Sequence, residues 1–199
     1  MLSQMAMKIS SFFIAHEVIK KDDKAVYQYS FEVLLATIMN FLALYAVAIV
    51  TDTVWATTIF IVGFVPLRSV AGGFHAKTHF RCFLVLMATY SIFLALIFSV
   101  PAYWCIFINV FCVCIAVMAV WLLSPIEDRN KPLNTEETKC FKKRSRIAIL
   151  FYAGAILAGT VFLKNRIEVF CLAMGVTSAA LSLVTAYIKS RIAHNSLRQ

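Results

Sequence analysis

Charge is scarce in this chain. Only 15% of its 199 residues are charged, against 61% hydrophobic, and its mean hydropathy is +0.82. A soluble domain of this length needs far more charge than that to cover its surface, so the composition excludes one and indicates a polytopic membrane protein. Internal repeats, low-complexity tracts and linkers long enough to divide the chain are also missing, so residues 1–199 read as a single integral membrane domain. The N-terminal stretch has neither an uninterrupted apolar run nor a small-residue cleavage site after it, which argues against a signal peptide. The six cysteines are scattered rather than spaced as a disulfide framework. Cys105, Cys112, Cys114 and Cys171 lie inside apolar stretches, where packing is the simplest role.

What the chain does have is a series of apolar runs near the roughly 20 helical residues that cross a bilayer. They fall at about Tyr29–Val50, Thr53–Leu67, Phe83–Val100, Ala102–Leu123, Ile147–Leu163 and Ile167–Ile188. The second is short and ends at Pro66 and Arg68, and the fifth is short as well. Ahead of them, Met1–Lys24 sets Leu2, Met5, Ile9, Phe12, Phe13, Val18 and Ile19 among Lys8, His16, Glu17, Lys20 and Lys21. That pattern predicts an amphipathic helix lying on the membrane surface. The expected fold is therefore all-α, with six transmembrane helices between about residues 29 and 188 and an N-terminal amphipathic surface helix.

The basic residues are distributed one-sidedly. Of the 19 lysines and arginines, all but Lys164 and Arg166 fall in the N-terminal segment, the second and fourth connections, or the tail. By the positive-inside rule both termini, the second connection and the basic loop 124–146 face the cytoplasm of a multi-pass cell-membrane protein. The net charge of +9 then belongs to one face, turned toward anionic lipid or an acidic partner; no nucleic-acid partner is expected.

One polar stretch interrupts the apolar pattern, Arg68-Ser-Val-Ala-Gly-Gly-Phe-His-Ala-Lys-Thr-His-Phe-Arg-Cys, ending at Cys82. It holds a thiol and an imidazole, Cys82 and His75, the pair that thiol-dependent acyl transfer needs: sulfur attacks as thiolate and a base must take its proton. Seven residues apart on one helix they would be separated by roughly 10 Å along its axis, so the chain must break between them. Gly72-Gly73 supplies that break, since glycine tolerates the left-handed conformations found just past helix ends. Thr78 is a natural N-cap for the next helix, and it puts Cys82 in or near the first turn, where the positive dipole end and Arg81 favour a thiolate.

Rival readings stay open on the residues alone. Cys140, beside Lys139, Lys142 and Lys143, is a second nucleophile candidate, although no histidine is near it in sequence. His75, His79 and Cys82, at spacings of four and three, suit a zinc site on one helical face, and with it a metal-dependent membrane hydrolase; yet the stretch from Arg68 to Arg81 contains no acid to act as base. Glu32 and Asn40 are polar residues within the first span, the starting point for a small transporter or channel, but two such residues make a poor ion pathway. Glu32, Glu127 and Asp128 compete as partners that orient His75.

Three features together carry a family resemblance: the block Arg68-Ser-Val-Ala-Gly-Gly-Phe-His-Ala-Lys, the cysteine seven residues after its histidine, and Ser-Pro-Ile-Glu-Asp-Arg-Asn-Lys-Pro-Leu at Ser124–Leu133. With these, nearly the whole chain resembles the AgrB (accessory gene regulator protein B) family of quorum-sensing membrane endopeptidases in Gram-positive bacteria. The resemblance implies a cysteine endopeptidase with Cys82 as nucleophile and His75 as general base, Arg68 in the same site, and Gly72 and Gly73 supporting it. It implies a precursor peptide with an amphipathic N-terminus and an acidic C-terminal tail; the tail is removed and the acyl-enzyme is resolved to a thiolactone or lactone. Lys131, Lys142, Lys143 and Arg144 are then candidates for attracting the tail. No cofactor or metal is expected, membrane lipids are partners, and a homodimer is left open.

Overall fold

The computed structural model describes residues 2–16, 19–20, 23–73, 78–126, 134–163 and 166–196. Seven helices and no strands are found among them: α1 (Leu2–Ala15), α2 (Lys24–Val50), α3 (Val54–Ala71), α4 (His79–Ser99), α5 (Cys105–Leu123), α6 (Thr135–Phe162) and α7 (Arg166–Ser196). Six of them, α2 to α7, are long and apolar enough to cross a membrane. The protein is an all-α, multi-pass membrane protein. In lipid a chain must satisfy its backbone polar groups internally, and a helix does so within one segment.

The chain forms two compact units, Met1–Asp52 and Thr53–Gln199. In the first, α1 packs on α2, with Phe13 stacked on Phe31 at 5.6 Å. Ala6 and Ser10 of α1 are fully buried, while Met5, Met7 and Phe12 are exposed.

The second unit is built around α7, which packs against α3, α5 and α6 and more lightly against α4. Of its membrane-spanning window 61% is buried, against 17% for α4. Small residues make this possible. A β-carbon on Gly63 of α3 would stand 2.8 Å from the Leu172 carbonyl oxygen, and one on Gly175 of α7 would collide with the Phe60 carbonyl. The two backbones therefore cross in direct contact, the packing that small residues permit between membrane helices. Because Trp55 donates to Glu168 at 3.1 Å near one end and Gly73 abuts Ser182 near the other, α3 and α7 run parallel.

Side chains make the other helix contacts. Thr57 and Tyr90 share a 2.6 Å hydrogen bond between α3 and α4, beside a 4.5 Å stack of Phe60 on Phe93, and all four are buried. Pro66 lies inside α3 and has no N–H to donate to the Val62 carbonyl one turn back. The Tyr152 hydroxyl of α6 donates to that carbonyl instead, at 2.7 Å. Asn109, fully buried in α5, donates through Nδ2 to Thr160 of α6 at 3.2 Å.

Several boundaries differ from those expected. The second span does not stop at Leu67: α3 continues through Pro66 to Ala71, with Tyr152 supplying the donor that proline lacks. The fifth span is not short, and the basic loop 124–146 is helical from Thr135 onward. An Asn134–Glu137 capping box starts α6 at exposed residues well ahead of the apolar run, and nothing ends the helix where that run begins. Asn109 joins Glu32 and Asn40 as a polar residue within an apolar span.

Candidate functional site

Antiparallel crossings bring the end of α3, the start of α4, the end of α5 and the start of α6 to one end of the second unit, alongside Ser182 of α7. Arg68 lies in the last turn of α3, half-buried, with its guanidinium carbon 5.5 Å from the centre of the Phe64 ring. The helix closes at Gly72, whose N–H donates to the Arg68 carbonyl at 3.1 Å and whose φ is +82°. That left-handed backbone favours glycine, and space demands it as well: a β-carbon would stand 2.5 Å from the Ile126 carbonyl oxygen. At Gly73 a β-carbon would meet Ser182 Oγ at 2.9 Å and both Cγ and Nε of Arg68 at 3.3 Å.

The segment after α5 is docked on this helix end. The Ile126 N–H donates to the Ala71 carbonyl at 3.3 Å, and Ser124 Oγ lies 3.4 Å from the same oxygen. Ser124 also donates to Ser145 Oγ of α6 at 2.7 Å, and Ser145 in turn donates to the Lys142 carbonyl at 3.0 Å. Both serines are buried. The two polar stretches singled out in the sequence, from Arg68 and from Ser124, are thus hydrogen-bonded to each other.

Thr78 has an extended backbone and caps α4, its Oγ1 accepting from the Arg81 N–H at 3.3 Å. Cys82 is half-buried in the first turn, and its N–H donates to the Thr78 carbonyl at 3.1 Å. Its thiol therefore projects from the first residue to close a hydrogen-bonded turn of this helix. All six cysteines are free thiols, and Cys140 is exposed on α6. Among the described residues no three His, Cys, Asp or Glu side chains come together as metal ligands. His75, Lys131, Glu127 and Asp128 lie outside the described residues, so the zinc triad lacks one described member. Glu32 belongs to the first unit.

Lys139, Lys142, Lys143 and Arg144 are exposed on the first turns of α6, on a helix rather than a loop. Arg146 differs: its guanidinium lies 4.5 Å from the centre of the Trp121 ring, and Nη2 donates to the Trp121 carbonyl at 3.4 Å. A cation there also suits the negative end of the α5 dipole.

The accessory gene regulator B (AgrB) family model matches residues 6–185. The chain belongs to the AgrB family. Similar to it are an AgrB-like protein of Listeria monocytogenes serotype 4a (strain HCC23), 27% identical over 141 residues covering 69% of this chain and 68% of the relative, and one of Listeria innocua serovar 6a, 26% identical over the same shares. No solved structure matches. As an AgrB family member the protein has a role in processing a quorum-sensing peptide precursor at the membrane. Sequence reasoning passed over Ser145 and Ser182 beside this candidate site, and it took Ser124 only as the first residue of a family block, with no structural role. Ser145 held a visible signal, as a polar residue beside an apolar span; Ser182 gave none, because a serine in a membrane helix commonly bonds only its own backbone.

Proposed function

We propose that this AgrB family member is a membrane cysteine endopeptidase in which Cys82 is the nucleophile and His75 the general base. The observation that carries this is the position of Cys82, in the first turn of a capped helix that follows a glycine break, with Arg68 at the other side of that break. His75 is three residues from Thr78, so the chain tethers it within about 10 Å of the helix start. In the cleavage step His75 takes the Cys82 proton and the sulfur attacks the scissile carbonyl of the precursor. The C–N bond breaks, the departing tail amine takes the proton from the imidazolium, and a thioester to Cys82 remains. A thiol or hydroxyl of the precursor itself then attacks the thioester. This closes a thiolactone or lactone and returns the Cys82 thiol. In this reading the surrounding bilayer, rather than burial within the protein, limits attack by water and favours the tethered nucleophile.

Cys82→Ser and His75→Ala should each abolish precursor cleavage while membrane insertion is kept, and Cys140→Ala should process like the parent. The double variant should be hardly worse than either single one, because nucleophile and base act as a unit. Cleavage by Cys82→Ser together with its loss in Cys140→Ala would move the chemistry to the other thiol. Activity lost to a chelator but surviving alkylation would replace the thiol mechanism by a metal-dependent one.

The precursor in this reading has an amphipathic N-terminus and an acidic tail, and Lys142, Lys143 and Arg144 attract that tail, with Lys131. The site and both termini face the cytoplasm, the side with most of the lysine and arginine. Neutralising Lys142, Lys143 and Arg144 should slow processing most at low ionic strength. The difference should shrink as salt shortens the Debye length to roughly 8 Å or less. A correctly inserted triple variant that matches the parent at every salt concentration would leave these cations a topological role only.

A further inference from the structure

Ser182 has no part in the proposed chemistry, yet it lies against the turn that carries it. Three groups converge on the point where a Gly73 β-carbon would stand: Ser182 Oγ at 2.9 Å, and Arg68 Cγ and Nε at 3.3 Å each. On the neighbouring residue, Gly72 abuts the Ile126 carbonyl. The turn is thus gripped from two sides, by the segment after α5 and by α7. The two grips differ chemically. Ile126 contributes backbone, whereas α7 contributes a hydroxyl from the most deeply embedded helix of the unit, where Leu183, the next residue, is fully buried. A hydroxyl rather than an alkyl group suits a place shared with a guanidinium.

We infer that Ser182 is a positioning residue for precursor processing, holding the Arg68 guanidinium and the Gly73 turn in register with Cys82. This rests on the endopeptidase reading above. Ser182 acts through Arg68 and the turn, and touches neither the sulfur nor the scissile bond. Its effect therefore appears in turnover rather than in capture of the precursor, and the thiol's own reactivity is left alone.

The test uses full-length protein in lipid bilayers and a synthetic acidic-tailed precursor. Ser182→Ala should lower kcat about tenfold, the scale of one hydrogen bond to a charged group, with KM unchanged. Ser182→Thr, which keeps the hydroxyl, should stay within about twofold of the parent on the same scale. Iodoacetamide should alkylate Cys82 at the parental rate in both. On an Arg68→Lys background, Ser182→Ala should add little, since its partner has already changed. The inference is overturned by parental turnover in Ser182→Ala, by equal losses in the alanine and threonine variants, by a loss confined to KM, or by full multiplication of the Ser182→Ala loss on the Arg68→Lys background. Cys82→Ser is run alongside to separate the two ideas. If it still processes the precursor, the endopeptidase reading fails; if it is inactive while Ser182→Ala is parental, only the role of Ser182 fails.

Discussion

The helix that carries the candidate nucleophile and the helix at the centre of the second unit are opposites. Of the α7 span 61% is buried; of the α4 span, 17%. α7 meets α3 backbone to backbone, through its own Gly175 and Gly63 of α3, whereas α4 meets α3 through the side chains Tyr90 and Phe93. The difference teaches how a small membrane protein divides its work. A small-residue crossing fixes the reference frame, and in the endopeptidase reading proposed above the nucleophile stands on a lightly attached helix, most of whose span is left unburied for a membrane-bound peptide to reach. Precision then has to come from a few point attachments, namely the Thr57–Tyr90 bond, the Thr78 cap and the double grip on Gly72-Gly73.

The largest effect expected from this contrast is at the central crossing. Gly175→Leu forces a side chain into the Phe60 backbone and should cost roughly 3 kcal/mol, enough to cut the yield of folded protein in detergent sharply. The same kind of addition at exposed Ala95 of α4, Ala95→Leu, should change stability by less than about 0.5 kcal/mol. Unfolding of the two variants by graded addition of a denaturing detergent measures both. Equal costs would mean that α4 is held as firmly as α7.

A smaller effect is expected at the attachment itself. Tyr90→Phe removes the 2.6 Å bond and leaves Thr57, fully buried, with its 3.5 Å contact to Thr53. The cost should be about 1.5 kcal/mol, the upper end for hydrogen bonds between membrane helices. Because α3, α5, α6 and α7 keep their mutual contacts, loosening should be confined to α4. Cys82 should then be alkylated faster than in the parent while Cys140 is not. Equal acceleration at both thiols would show that the whole unit loosens together.

Much of this was legible in the sequence, for local reasons. Lipid demands about 20 apolar residues in a row, so six spans can be counted without a structure. Gly72 and Thr78 obey end rules that depend only on their immediate neighbours. The start of α6 was legible too and was missed: Asn134 with Glu137 three residues later is a capping signature, but hydropathy marks where a membrane begins, not where a helix does. The contacts that hold the site together were not legible. Ser124 to Ser145 spans 21 positions, and Gly73 to Ser182 joins residues more than 100 apart. Neither serine sits in a pattern that names its partner. Proline gave half a clue, since Pro66 announces that the Val62 carbonyl needs a donor but not that Tyr152 provides it.

That half-clue yields the last and smallest effect. Tyr152→Phe leaves the Val62 carbonyl without its donor and should cost about 1 kcal/mol, because one acceptor loses its partner and the ring still fills its space. Pro66→Ala returns an N–H to α3 at the position that bonds Val62 in a regular helix, so on that background the Tyr152→Phe cost should largely vanish. Stability and function should then separate. Pro66→Ala regularises α3 one turn before Ala71, where Ser124 and Ile126 are docked, and so shifts the helix end that presents Arg68 and Gly72. The variant should unfold no earlier than the parent yet process the precursor more slowly. Additive Tyr152→Phe and Pro66→Ala costs would show that the hydroxyl answers some other need than the missing proline N–H. Parental processing by Pro66→Ala would show that the light attachment of α4 absorbs a shift at the end of α3, and that the double grip on Gly72-Gly73 is looser than its short contacts imply.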